Sequence, residues 1–221
     1  MTEPLKYEVA PSILAADFAR LGEEIGKVES VSGRIHVDVM DGHYVPNLTI
    51  GVPVIRSIRK VTDLILDVHL MVTDPLRFVV PFAEAGSDVI TVHVETLENP
   101  IEAIELIRSV GKKAGLSIHP DTPVEVLFPY LAMLDNVLIM SVRPGFGGQE
   151  FMPEAMGRIR RIRAEMDRMK SSATLSVDGG ISKENARAVV NAGGRILVIG
   201  SAVFESINPK KAVEDILKCA M

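Results

Sequence analysis

The feature that most constrains this chain is a recurrence of element type along its length. Short apolar, β-branched runs return at residues 8–14, 35–40, 64–72, 89–94, 114–118, 137–142, 174–177 and 196–199, with helical patterns between them. The intervening segments carry start and stop signals. Asp17 precedes F-A-R-L-G-E-E-I, Asp74-Pro75 opens a segment that closes at Gly86, and Pro123 starts V-E-V-L-F-P-Y-L. Ser182 precedes K-E-N-A-R-A-V-V-N-A-G, and Pro209 starts the last helix. Alternation with no linker-like stretch describes one parallel sheet wrapped by helices. Eight units in 221 residues predict an α/β fold, a single (β/α)8 TIM barrel forming one catalytic domain over residues 1–221. The competing open sheet would want G-x-G-x-x-G after the first strand, where this chain has P-S-I-L-A-A-D.

A net charge of −5, without Lys/Arg-rich runs interleaved with aromatics, argues against nucleic acid or an anionic membrane as a partner. The densest basic stretch, residues 158–168, alternates with Ile159, Ile162 and Met166 at helical spacing and is expected to be a solvated helix face. One cysteine, Cys219, permits no disulfide within the chain, so the expected setting is reducing and cytoplasmic. The opening M-T-E-P-L-K-Y-E-V-A lacks the apolar stretch of a signal peptide, and no run approaches about eighteen apolar residues; neither export nor membrane spanning is expected.

Ionisable groups sit where apolar strands end: His36 and Asp38 in R-I-H-V-D-V-M-D-G, His69 in L-I-L-D-V-H-L-M-V, and Asp178 in L-S-V-D-G-G. Such groups are costly to bury without a use. Residues two apart in a strand share a face, so His36, Asp38 and Met40 point together, as do Asp67, His69 and Met71. Two imidazoles and two carboxylates converging on a barrel axis predict a divalent-metal site suited to Zn2+, Fe2+, Mn2+ or Co2+. His93 and His119 also end strands and are expected to be hydrogen-bonded residues behind the site; His43 lies in a loop and is read as solvated.

Glycines give an independent signal. Gly179-Gly180 and Gly200-Ser201 follow the seventh and eighth strands, where backbone N–H groups can surround a phosphate. The longest strand-to-helix gap holds R-P-G-F-G-G-Q-E-F-M-P, whose glycines flank one aromatic residue and predict a mobile lid. The expected ligand is a small phosphorylated molecule.

Taken together, A-P-S-I-L-A-A-D-F, H-V-D-V-M-D-G-H-Y-V-P-N, D-V-H-L-M-V, P-G-F-G-G-Q, V-D-G-G-I and G-S-A-V-F, in this order, resemble the ribulose-phosphate 3-epimerase family nearly end to end. The resemblance implies a ribulose-phosphate-binding barrel that interconverts D-ribulose 5-phosphate and D-xylulose 5-phosphate at carbon 3 through an enediolate, in the pentose phosphate and Calvin pathways. It implies one divalent metal held by His36, Asp38, His69 and Asp178, Zn2+ or Fe2+ before Mn2+ or Co2+, with Asp38 and Asp178 also the acid/base pair. By the same resemblance Ser12 and His69 touch substrate, Met40, Met71 and Met140 line the reacting face, and Gly145, Phe146, Gly147 and Gly148 form the lid. Gly179, Gly180, Gly200 and Ser201 would bind the phosphate of a ketose substrate. Arg143, His119-Pro120-Asp121 and Gly194-Arg195 depart from the common pattern, away from the proposed ligands. A hexulose-phosphate epimerase and a phosphosugar-binding module without catalysis are the rival readings; a decarboxylase or synthase would want a strand-end lysine. Barrels of this size commonly associate, so a homo-oligomer is expected.

Overall fold

In the strand Arg34–Met40, Ile35, Val37 and Val39 join the large apolar layer that the sheet shares with its helices, which leaves His36, Asp38 and Met40 on the other face. The strand Ile65–Met71 divides the same way, with Leu66, Val68 and Leu70 outward and Asp67, His69 and Met71 inward. Fully burying one such Val, Leu or Ile is worth about 1.5–3 kcal/mol. A register slip of one residue would expose the outer set and drive the charges into the apolar layer, so the pattern locks the register.

This arrangement comes from a computed structural model that describes residues 7–220. The strands are β1 (Glu8–Pro11), β2 (Arg34–Met40), β3 (Ile65–Met71), β4 (Val89–His93), β5 (Lys113–Ile118), β6 (Asn136–Met140), β7 (Thr174–Asp178) and β8 (Ile196–Ile199). They form one sheet in the order β1-β8-β7-β6-β5-β4-β3-β2, parallel throughout. A parallel bridge between Ser12 and His36 joins the two ends and closes the barrel. Inside lies a small separate cluster that includes Ala10, Leu138, Met140, Ile196 and Val198.

The helices are α1 (Leu21–Val28), α2 (Val52–Ile58), α3 (Leu76–Ala85), α4 (Pro100–Ser109), α5 (Ala155–Met169), α6 (Ala186–Ala192), α7 (Ser201–Phe204) and α8 (Pro209–Ala220). Gly86 ends α3 in the left-handed conformation at φ 116°, as a helix stop requires. Among the described residues no helix is long and apolar enough to cross a membrane.

Three local expectations differ from the structure. The first strand stops at Pro11 instead of reaching residue 14, because Ser12 caps a 3-10 turn, Ile13–Ala15, by accepting from the Leu14 N–H. The segment after Pro123 is a 3-10 helix, Val124–Tyr130, in which Pro129 has no N–H for an α-helical bond. Ser182 bonds Glu184 in a turn, and α6 begins only at Ala186. The basic face of α5 is mostly solvated, as expected, except for Arg163, whose Nε is buried, and Arg158, whose guanidinium donates to the carbonyls of Thr122 (2.7 Å) and His119 (2.8 Å).

Candidate active site

Register assembles the site. Pairing of β2 with β3 sets Asp38 beside His69, His36 beside Asp67 and Met40 beside Met71, all on the inner face. From β7, Asp178 enters beside Met140 of β6. One donor atom from each of His36, Asp38, His69 and Asp178 lies within 4.8 Å of all the others. His36 Nε2 is 3.3 Å from Asp38 Oδ1 and 3.9 Å from Asp178 Oδ2; His69 Nδ1 is 3.3 and 3.8 Å from the same two atoms.

These groups are nearly sealed from solvent: His36, Asp38 and His69 are 1%, 5% and 0% exposed. His36 Nε2 is buried and makes no hydrogen bond among the described residues, although it points at the two carboxylates. A buried lone nitrogen facing two carboxylate oxygens and a second imidazole nitrogen fits a cation and is costly without one. The donor set, two nitrogens and two oxygens, suits a divalent transition metal.

The electrostatics separate the two carboxylates. Burial, reinforced by the charge of Asp38, pushes Asp178 up to about 7. Burial acts on Asp38 too, but the His36 charge and contacts with His36 and His69 outweigh it and hold this carboxyl well below the usual range. Burial likewise works against a charged His36, yet the Asp38 and Asp67 carboxylates raise it well above its ordinary value. For His69 burial prevails and lowers it to about 4.

Three of the four groups are braced from behind. Ser12 Oγ donates to Asp38 Oδ2 over 2.6 Å. Asp67, fully buried, meets His36 Nδ1 at 3.3 Å and has Arg34 at 3.8 Å. His69 Nε2 meets His93 Nε2 at 2.9 Å, so His93 stands behind the site as the sequence suggests. His119 sits further out: its backbone N–H donates to Glu95 Oε1. His43 is exposed and bonds the Asp41 carbonyl, apart from the site.

Above the quartet lies a cavity of about 70 Å3 that brings most of the remaining candidates together. Asp38, Met40, Met71, Met140 and Asp178 form its floor, with Ser12 at the side. Gly179, Gly180, Gly200 and Ser201 line one wall, and Gly145, Phe146, Gly147 and Gly148 line another. The Gly179 and Gly180 N–H groups donate no hydrogen bond among the described residues. At Gly180, φ is 63° and an added Cβ would lie 2.2 Å from the Phe151 nitrogen, so the close approach of two backbones needs glycine there. The stretch expected to form a lid is held by Asn47 Nδ2 donating to the Gly145 carbonyl (2.8 Å) and by Gln149 Nε2 donating to those of Arg143 (2.7 Å) and Phe146 (2.8 Å). Phe146 itself remains 55% exposed.

A sequence model described as the Ribulose-phosphate 3 epimerase family matches residues 8–204. The chain belongs to the ribulose-phosphate 3-epimerase family. Ribulose-phosphate 3-epimerase of Bacillus subtilis (strain 168) is 47% identical over 211 residues, 95% of this chain and 97% of that protein. The protein of the same name from Escherichia coli (strain K12) is 43% identical over 212 residues, covering 95% of this chain and 94% of that one. Among solved structures, orotidine 5'-phosphate decarboxylase from Pyrococcus horikoshii OT3 superimposes with a TM-score of 0.72 at 17% identity, covering 96% of this chain and 98% of that chain. That likeness shows a shared barrel alone. Among the described residues of this family member no strand has lysine as its C-terminal residue.

Within the epimerase-family chain, sequence reasoning missed several contributors. The inward direction of Asp67 was legible from its strand parity with His69, but its place behind His36 was not. Leu14, Ala15, Ile181 and Val198 line the cavity but carry no chemical mark in the sequence. Asn47, which donates to the Gly145 carbonyl, acts across 98 residues, a pairing that spacing does not reveal.

Proposed function

We propose that this family member catalyses reversible, metal-dependent epimerisation at carbon 3 between D-ribulose 5-phosphate and D-xylulose 5-phosphate. The observation that carries the reading is one cavity bordered by two carboxyl groups from distant strands, Asp38 on β2 and Asp178 on β7, with opposite protonation tendencies. Groups whose environments drive their pKa values apart supply an acid and a base at one pH.

Inversion next to a ketone removes a proton from one face and returns one to the other. One carboxylate takes the proton from carbon 3, and the bonding pair moves toward the carbonyl oxygen to give a planar enediolate. The other carboxyl group then delivers its proton to the opposite face, with the roles exchanged in reverse. Ser12, bonded to Asp38, orients that carboxylate. Met40, Met71 and Met140 pack polarizable thioethers against the flat intermediate without offering it a proton. His36, Asp38, His69 and Asp178 hold the ion, Zn2+ or Fe2+ before Mn2+ or Co2+. When bound, it supplies Lewis-acid stabilisation of the negative charge that develops on the substrate oxygens.

The free N–H groups of Gly179 and Gly180, with Gly200 and Ser201 beside them, receive the substrate phosphate away from the reacting carbon, so its binding energy goes into positioning. Gly145, Phe146, Gly147 and Gly148 close over it and exclude water. The reading includes one catalytic domain over residues 1–221, a homo-oligomer and a reducing cytoplasmic setting, the last in keeping with a single, exposed cysteine. The test is conversion of D-ribulose 5-phosphate to D-xylulose 5-phosphate by Zn2+-loaded protein in heavy water. The expected result is interconversion with deuterium entering at carbon 3; absence of both would overturn the assignment.

A further inference from the structure

His69 offers Nδ1 to the Asp38 and Asp178 carboxylates and turns Nε2 away from them, toward His93. The Nε2 to Nε2 distance is 2.9 Å while the ring centroids are 4.9 Å apart, so the rings meet end to end and share one proton between two nitrogens. Both side chains are fully buried. Beyond His93, its Nδ1 faces the Tyr44 hydroxyl at 2.9 Å and Glu95 Oε2 at 3.3 Å.

Only one ordering of protons lets His69 bind a cation. Nδ1 must present a lone pair to the ion, so Nε2 must carry the hydrogen and donate to His93 Nε2. His93 Nε2 is then an acceptor, and its own hydrogen must be on Nδ1. The Tyr44 hydroxyl does not set this order by itself, because a hydroxyl alone can donate to Nδ1 or accept from it; here Glu95 also draws the hydroxyl hydrogen, which leaves its oxygen to accept from Nδ1. An ionised carboxylate can only accept. Glu95 is that group: burial acts to raise it, but bonds from His93, Thr122 and the His119 N–H hold it near 2.

We propose that Glu95 is a positioning residue for the metal, acting through His93 to fix the tautomer of His69. The chain runs from Glu95 Oε2 through His93 Nδ1–H and Nε2 to His69 Nε2–H, and ends at the Nδ1 lone pair in the quartet. It complements the shorter brace in which Asp67 meets His36 Nδ1 directly. Glu95 lies on the 3-10 turn Val94–Thr96 and has no donor atom in the quartet, so its effect on the ion is relayed. An amide in its place could donate to His93 Nδ1, reverse both tautomers and put a hydrogen where the ion needs a lone pair.

This inference rests on the metal-dependent reading above, and its test separates the two. Metal-free wild type, Glu95→Gln and Tyr44→Phe would each compete with a chromophoric chelator for Zn2+, and thermal midpoints of the metal-free proteins would be recorded alongside. Loss of an orienting partner of this kind weakens metal binding by about 10- to 100-fold. Glu95→Gln is expected to lose about tenfold or more in Zn2+ affinity, with Tyr44→Phe close to wild type. A merely structural role for Glu95 would lower the metal-free midpoint and leave the Zn2+ affinity of the folded variant unchanged, which would overturn the proposal. Nitrogen-15 imidazole spectra of Zn2+-loaded wild type give a reading independent of any variant's folding: hydrogen on His93 Nδ1 and His69 Nε2 is expected, and hydrogen on His93 Nε2 would overturn it. Tight Zn2+ binding by wild type with an unaffected Glu95→Gln sinks this inference alone, whereas no Zn2+ binding by wild type sinks the metal reading with it.

Discussion

Ser12 at the end of β1 donates its hydroxyl hydrogen to Asp38 Oδ2 over 2.6 Å, in a place where both residues are buried. A hydrogen bond to a charged group contributes roughly 1.5–3 kcal/mol. Ser12→Ala is therefore expected to lower the epimerisation rate by about tenfold or more through misorientation of Asp38, which steady-state kinetics would measure as a fall in kcat.

In the proposed mechanism the two carboxylates make separable contributions. Asp38→Asn and Asp178→Asn are each expected to reduce interconversion by at least about 10²-fold, the usual span of an acid/base group being 10²–10⁴. A protein left with one base still removes the proton on its own side. Each variant is expected to exchange the carbon 3 hydrogen of one epimer with heavy water, and the two variants to exchange opposite epimers. Nuclear magnetic resonance of substrate recovered before turnover would show it; exchange of the same epimer by both variants would contradict the assignment.

Acid stability offers a third check, at Asp41. Burial acts to raise this carboxyl, but the backbone N–H groups of Thr73, His43 and Tyr44 bring it down to about 2. Because its folded value lies below the unfolded one of 3.8, its stabilising effect is present above about pH 4 and is lost as pH falls toward 2. Asp41→Asn is expected to lower the thermal midpoint at pH 6 and to show a shallower decline than wild type between pH 4 and 2.

Two neighbouring glycine-rich stretches should respond differently to a methyl group. At Gly180 the new Cβ would meet the Phe151 backbone at 2.2 Å, whereas at Gly147 it finds nothing within 4 Å. Gly180→Ala is expected to displace the segment around Phe151 and raise KM for the sugar phosphate by about tenfold or more, as a displaced positioning element does. Gly147→Ala is expected to leave KM within about twofold of wild type. Comparable KM values for the two variants would show that the Gly180 contact does not support the phosphate wall.

How far the sequence reveals this molecule follows from the range of each signal. Period-two alternation in R-I-H-V-D-V-M put His36 and Asp38 on one inner face, and the same parity applied to Asp67 and His69. Asp178 was legible as the end of an apolar run, and barrel closure brings it across to meet β2 and β3. Illegible features depend on backbone detail or on distant chain. Pro11 and the Ser12 cap stop β1 within an apolar run, and Pro129 turns a helix-like pattern into 3-10. Glu95 follows a strand, but the turn Val94–Thr96 breaks the two-residue period, so alternation says nothing about where its carboxylate points.

The sheet has one weak joint. Along every other boundary the strands share a ladder, while β1 and β2 meet at the single bridge of Ser12 and His36. His36 is also a member of the quartet, and Asp178 reaches it from β7, which lies beyond β1 and β8 on the other side of the seam. The ion proposed above would work there as a rivet as well as a reagent, fastening the seam's own residue to another stave of the barrel. Amide exchange along the β1–β2 edge is then expected to be faster in the metal-free protein than in the metal-loaded one.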